Sequence, residues 1–165
     1  MSDNVSREEG VKHIAEIIKD IRFALLTTVS GKGHLHSRPM TTQETEFDGD
    51  IWFIGSKDSG SVADITAQPQ VNVSYADTGK NTYLSVTGRA VLTDDRAKLE
   101  TLWSDGYKAY FAGGIDDPDI QLIKIESQGA EYWEGGRTRN LLQMAAAAVS
   151  GKTSNDHGTN ETVKL

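Results

Sequence analysis

Arg38 and Lys57 bracket the segment RPMTTQETEFDGDIWFIGSK. One is a guanidinium in mid-strand. The other is an ammonium just past the end of the next strand. If those strands pair around a turn at Asp48-Gly49, both cations reach one end of the sheet. Ser56, Ser59 and Ser61 add hydroxyls there. The helix that follows offers unpaired backbone N–H groups and the positive end of its dipole. Together these residue types suit a phosphate dianion. No P-loop pattern accompanies them. From spacing alone the plainer reading is two solvated surface cations beside a serine-rich loop.

Other chemistry-bearing residues are fewer. Trp133, in EYWEGGRTRN, ends a strand before Gly135-Gly136, where the backbone can turn sharply or lie close to a ligand. A planar aromatic cofactor fits such a place, and so does an ordinary core or interface tryptophan. Trp52 and Trp103 fall in apolar strand and helix patterns and read as structural. His34 and His36 share a strand face in HLH, an arrangement zinc uses, but no third ligand is evident. His13 and His157 mark no site. The Asp116-Asp117-Pro118-Asp119 run lacks EF-hand spacing and reads as a solvated turn. There is no G-x-S-x-G elbow and no G-x-G-x-x-G turn.

The elements that must position these residues follow from periodicity. Ser6-Arg7-Glu8-Glu9 is a capping box, and Val11, Ile14, Ile17, Ile18 and Ile21 then recur at helical spacing, predicting a helix over residues 7–20. Strands are expected at Phe23–Val29, at His34–Gln43 with Pro39 marking an edge or bulge, and at Ile51–Ile54. A short helix over Ser59–Ala67 stops near Pro69. Further strands are expected at Val71–Tyr75, at Thr82–Thr93 with a bulge at Gly88, at Ile120–Glu126 and at Ala130–Trp133. Asp94 is expected to cap a helix carrying Ala97, Leu99, Leu102 and Trp103. Asn140–Val149 reads as helix. The chain is read as one domain over residues 1–149 and a polar tail over 150–165. That tail is expected to be mobile and dispensable for ligand binding, with a short ordered end at Val163–Leu165.

Composition sets the frame. The chain has 165 residues, 37% hydrophobic and 25% charged, and a net charge of -7. That is ordinary for one globular domain, and it argues against nucleic acid or an anionic membrane as partner. No apolar run approaches the roughly 20 residues of a membrane span. The first residues, MSDNVSREEG, are acidic and polar, unlike a signal or transit peptide. There is no cysteine, which removes disulfide and thiolate chemistry and fits a cytoplasmic setting. Six or seven antiparallel strands with short helices between them give a mainly β (α+β) fold, a closed or partly closed barrel with peripheral helices.

Four segments, HSRPMTTQ, DIWFIGSKDSGSVADITAQPQVNVSYAD, YLSVTGRAVLTDD and AEYWEGG, carry a resemblance to a known family. In their order and content the chain resembles the pyridoxamine 5'-phosphate oxidase-like FMN-binding split barrels, most closely their bacterial general stress protein branch. The resemblance implies a homodimer with two flavin sites at its interface, FMN as cofactor with FAD as an alternative, and flavin-dependent oxidoreductase activity. The alternatives are a flavin-binding module without turnover, or a pyridoxamine 5'-phosphate oxidase. By the same resemblance Arg38 and Lys57, with Ser56 and Ser61 beside them, hold the flavin phosphate. Ser37, Arg38, Pro39, Met40 and Thr41 run along the ring and ribityl chain, and Ile54 and Gly55 line the same groove. Tyr83 stands where the oxidases carry a flavin-contacting glutamine from the other subunit, and Trp133 matches their flavin-contacting tryptophan. The oxidases' R-L-H substrate motif is altered, since Asn140 and Leu141 follow Arg139. Gln143 replaces a later arginine. These departures weigh against pyridoxamine phosphate as substrate.

Overall fold

A computed structural model describes residues 6–43, 45–135 and 159–165. The first helix, α1 (Arg7–Ile18), begins at the capping box: Ser6 Oγ accepts from Glu9 N and the Glu9 carboxylate accepts from Ser6 N, each at 3.3 Å. It ends two residues earlier than its periodicity suggests, and Ile21 is buried beyond it. Two strands joined by a turn with Gly33 at φ 82° follow, β1 (Phe23–Val29) and β2 (Leu35–Thr41). Then come β3 (Asp50–Ser56), α2 (Gly60–Ala67), β4 (Gln70–Asp77), β5 (Thr82–Thr93) and α3 (Arg96–Leu102). Two short 3-10 turns, Asp105–Ala109 and Gly114–Asp116, lead to β6 (Ile120–Glu134), and β7 (Thr159–Lys164) ends the chain.

Every strand pairing is antiparallel, in the order β2-β1-β4-β5-β6-β3, with β7 also on β6. The expected pairing of β2 with β3 around Asp48-Gly49 is not made. β2 pairs with β1 across the tight Gly31–Gly33 turn, while β3 pairs with β6. β2 is thus an edge strand, which is where Pro39, having no N–H, is tolerated. The sheet still curls on itself. Ala24 and Leu26 of β1 share one core with Ile51 and Phe53 of β3, though the two strands lie far apart in the order. Ile14, Ile17 and Ile18 of α1 fill the same core. A second, smaller cluster joins Ile54, Ile120 and Leu122 to Leu99 and Leu102 of α3 on the opposite face of β3 and β6.

Three local expectations are corrected. Ile120–Glu126 and Ala130–Trp133 are one 15-residue strand. The strand carries a bulge between the two expected halves: Gly88 pairs with Ser127 and Thr87 with Gly129, leaving Gln128 over. Gly88 is required there, because a Cβ would come within 2.7 Å of the Glu126 carbonyl oxygen. The cap of α3 is Asp95 and not Asp94, its Oδ1 accepting from Lys98 N at 3.0 Å. The ordered end of the tail begins at Thr159, earlier than Val163. The helix expected at Asn140–Val149 lies outside the described residues.

One apolar residue, Val163, anchors β7 in the core at 1% exposure. It is met by Gly10 of α1, where a Cβ would overlap Val163 Cγ1. Gly10→Ala should gain about 1 kcal/mol of helix propensity but lose about 1–3 kcal/mol to overpacking against a stiff branched side chain. Val163→Ala alone should cost about 2 kcal/mol. In the Val163→Ala background the same Gly10→Ala change should stabilise. Urea denaturation of the four proteins checks this, and purely additive effects would refute the contact.

Candidate functional site

Side chains alternate along β1 and β2, so the register Leu26↔Arg38 and Thr28↔His36 sets Thr28, His36 and Arg38 on the inner face together. Apolar residues fill that face elsewhere, at Ala24 and Leu26. At its open end it meets α2, which carries a carboxylate, Asp64, where its apolar stripe of Val62 and Ile65 is buried. Asp64 is only 8% exposed and Thr28 is fully buried.

These groups satisfy one another. Asp64 Oδ2 accepts from Thr28 Oγ1 at 2.8 Å, from His36 Nδ1 at 3.0 Å and from Arg38 Nη2 at 3.1 Å. Thr28 Oγ1 in turn accepts from Arg38 Nη1 at 2.8 Å. Because an ionised carboxylate can only accept, His36 carries its proton on Nδ1. The 3.4 Å approach of Arg38 Nη2 to that nitrogen is then donor against donor and adds no bond. The His36 hydrogen bond, then that of Thr28, then the Arg38 guanidinium hold the Asp64 carboxyl below its ordinary value, against the upward push of burial.

The start of α2 lies against this cluster. Ser59 caps the helix, its Oγ accepting from Val62 N at 3.3 Å and lying 3.0 Å from Ser61 Oγ. Gly60 and Asp64 are one turn apart on the same helix face, and Arg38 lies along that face. A Cβ on Gly60 would sit 2.9 Å from Arg38 Nη2, so the missing side chain makes room for the guanidinium. The first helical N–H groups, those of Gly60 and Ser61, have no acceptor within the helix. Arg38 has five N–H donors, and two are used.

The remaining predicted residues fall into separate groups. Met40 packs on the main core. Ser37, Pro39 and Thr41 alternate to the outer face, where Ser37 Oγ and Thr27 Oγ1 are 2.8 Å apart. Tyr83 and Trp133 are cross-strand partners on that same outer face. Gly55 lies on the inner face of β3 against Ile123, while Ile54 is buried in the second cluster. Ser56 donates to Asp119 Oδ2 at 2.5 Å. Lys57 is exposed, and its backbone N–H donates to Asp119 O at 2.8 Å. Its side chain lines a cleft of about 220 Å³ with Asp94, Arg96 and Asp116, and among the described residues no contact joins it to Arg38. His34 lies just outside β2 and does not join His36. Among the described residues no three His, Cys, Asp or Glu side chains gather as a metal site. Sequence reasoning missed Thr28, His36 and Asp64 as members of the cluster. Arg139–Gln143 lie outside the described residues.

An antiparallel split barrel with a guanidinium at the start of a helix beside its edge strand defines the structural class. Residues 9–155 match the family model described as pyridoxamine 5'-phosphate oxidase like, and the chain belongs to that family. Among solved structures it is similar to one described as general stress protein 26 from Jannaschia sp. CCS1, with 30% identity, 94% of this chain and 98% of that chain covered, and a TM-score of 0.71. It is also similar to the general stress FMN/FAD binding protein of Xanthomonas citri, with 27% identity, 77% and 89% covered, and a TM-score of 0.66. Among characterised sequences it is 25% identical over 161 residues to protein bli-3 of Neurospora crassa, covering 92% of this chain and 76% of that protein. No described helix is long and apolar enough to cross a membrane.

The Asp64 cluster predicts a pH dependence. Its folded-state carboxyl is held below the ordinary 3.8. Its stabilisation is therefore complete above that value and is lost as pH falls through the lower, folded-state one. Asp64→Asn should cost about 1.5 kcal/mol near neutrality, and the gap from wild type should narrow below about pH 4. Urea unfolding at pH 7 and pH 3 measures this, and a gap that stays constant would contradict it.

Proposed function

We propose that the protein binds a flavin through its phosphate at the start of α2 and acts as a flavin-dependent oxidoreductase of the general stress type. FMN, whose terminal phosphate is a dianion, is the expected cofactor; FAD, which carries a diphosphate diester in that place, is the alternative. The observation that carries this reading is the donor set: a guanidinium with three uncommitted N–H groups, the one serine hydroxyl proton left over from the Ser59–Ser61 pair, and two free helical N–H groups, all beside the place Gly60 clears for the guanidinium. That set fits a phosphate dianion, and Lys57, three residues ahead of Gly60, has a long flexible side chain to add to it. When bound, the flavin supplies the electron chemistry, while this chain binds and orients it. The name of the Xanthomonas citri relative, an FMN/FAD binding protein, supports the same ligand class.

The working unit in this reading is a homodimer. Arg38 and Ser61 belong to the inner face and the α2 start, whereas Tyr83 and Trp133 lie on the outer face. A second copy laid on the outer face would bring both groups to one ligand. That face carries the apolar surface such a contact needs: Phe23 is 58% exposed, Leu25 48%, Leu35 72% and Tyr83 40%. Homodimer interfaces are depleted of charge at their centre. Leu25→Lys should therefore give a monomer by light scattering and lose flavin affinity, and a flavin-loaded monomer of the wild type would refute the arrangement.

Arg38→Ala and Lys57→Ala should each raise the FMN dissociation constant about tenfold to a hundredfold, the equivalent of about 1.5–3 kcal/mol for a hydrogen bond to a charged group. Arg38→Lys should recover only part, lacking the planar fork. Riboflavin, which has no phosphate, should bind all variants alike. Fluorescence titration with both ligands decides. FMN affinity equal to wild type excludes the phosphate grip, and a parallel loss of both ligands means that the residues hold up the barrel. Bleaching of the bound flavin by reduced nicotinamide would report turnover.

A further inference from the structure

We propose that Asp64 is a positioning residue for Arg38, fixing which of its N–H groups face the bound phosphate; this rests on the flavin reading above. Arg38, Thr28 and Asp64 close a ring of three hydrogen bonds. The ring admits one proton order. Ionised Asp64 can only accept, so the single Thr28 hydroxyl proton goes to it, and the Thr28 oxygen is left to accept from Arg38 Nη1. Arg38 thereby commits one N–H of Nη1 and one of Nη2. Its Nε–H and the second hydrogens of Nη1 and Nη2 remain for a ligand. An unrestrained arginine gives up roughly 2 kcal/mol of rotamer freedom on being fixed, and the ring meets that cost before any ligand arrives.

The carboxylate has two effects on a phosphate, and they oppose each other. Its charge repels the dianion, and its hydrogen bonds aim the cation. The charge is shared on a single oxygen among Thr28, His36 and Arg38, which blunts its outward field. Without Asp64 only the Thr28 bond to Nη1 would remain, and a single bond lets the guanidinium swing, since Gly60 offers no side chain to confine it. Positioning therefore prevails, and deleting a negative charge beside an anion site weakens anion binding.

The test is a titration of the full chain with FMN and with riboflavin, using Asp64→Ala, Asp64→Asn, Thr28→Val and Thr28→Ser. Asp64→Ala should raise the FMN dissociation constant about tenfold and leave riboflavin unmoved. Asp64→Asn keeps an acceptor oxygen and should stay within about threefold of wild type. Thr28→Val should behave like Asp64→Ala, and Thr28→Ser like wild type. If Asp64→Ala does not fold, Thr28→Val against Thr28→Ser carries the comparison. Unchanged or tighter FMN binding in Asp64→Ala, with Arg38→Ala still weakened, overturns the proposal and spares the phosphate reading. If Arg38→Ala leaves FMN binding untouched, the phosphate reading itself fails. Arg38 can also be followed without flavin, through the NMR signals of its guanidinium nitrogens. Slow rotation about the Nε–Cζ bond in wild type that becomes fast in Asp64→Ala supports the positioning role, and equal rates in the two overturn it.

Discussion

A carboxylate taken almost out of water must find donors or lose its charge. Asp64 finds three, two from β2 and one from β1. That requirement does more than neutralise a side chain. β2 and β3 stand at the two ends of the strand order and share no ladder. The helix that follows β3 must still be fastened to the edge made by β2 if the barrel is to have a defined open end. Asp64 is the fastening, and the position of the α2 start relative to Arg38 follows from it.

The same bonds explain how the site can offer donors to an anion in a chain with a net charge of -7. Most lysines and arginines with partners lie in surface pairs such as Lys12–Glu8 and Lys19–Glu16, which contribute little and leave no lasting field. Arg38 differs because its partner is buried and shared. Asp64 takes one edge of the guanidinium and leaves the rest directed at the helix start, where the backbone dipoles are also positive. The Arg38–Asp64 pair is neutral overall, so what the geometry supplies is directed N–H donors and not net positive charge.

Much of this was legible from residue order. The capping box at Ser6–Glu9, the strand Phe23–Val29, the strand Thr82–Thr93 and the bulge at Gly88 all follow from local chemistry, and the structure agrees. What failed was pairing. The Asp48-Gly49 turn looks like a hairpin, but β3 finds its ladder with β6, some 70 residues away in sequence. Hairpin signals report chain reversal, and a reversed chain need not pair with the strand it has just left. β6 reads in sequence as two strands, because the lone extra residue Gln128 breaks the alternation until its partner strand is known. The Asp64 cluster was hidden for a related reason. Thr28 occupies an inward position in the alternation Ala24, Leu26, Thr28, and Asp64 sits on a helix between Val62 and Ile65. Each is a polar residue at a buried position, a detectable signal that a partner is needed. Which partner is a question of tertiary structure, since 36 residues separate the two.

The sheet presents two faces of different chemistry. β2 presents Arg38 inward and Ser37, Pro39 and Thr41 outward, because consecutive residues of a strand cannot share a face. A contiguous run such as SRPMT can therefore contact one ligand through its backbone, but its side chains reach opposite sides. The inner side is closed by Thr28 and Asp64 around one arginine. The outer side leaves Phe23, Leu25 and Leu35 uncovered and pairs Tyr83 with Trp133, beside the polar groups of Thr27, Ser37, Asn72 and Ser74. On the flavin reading proposed above, a ligand with a charged end and a flat aromatic end would meet both sides at the rim where they adjoin. Along β2 that rim is the edge strand, whose backbone is paired to β1 on one side only.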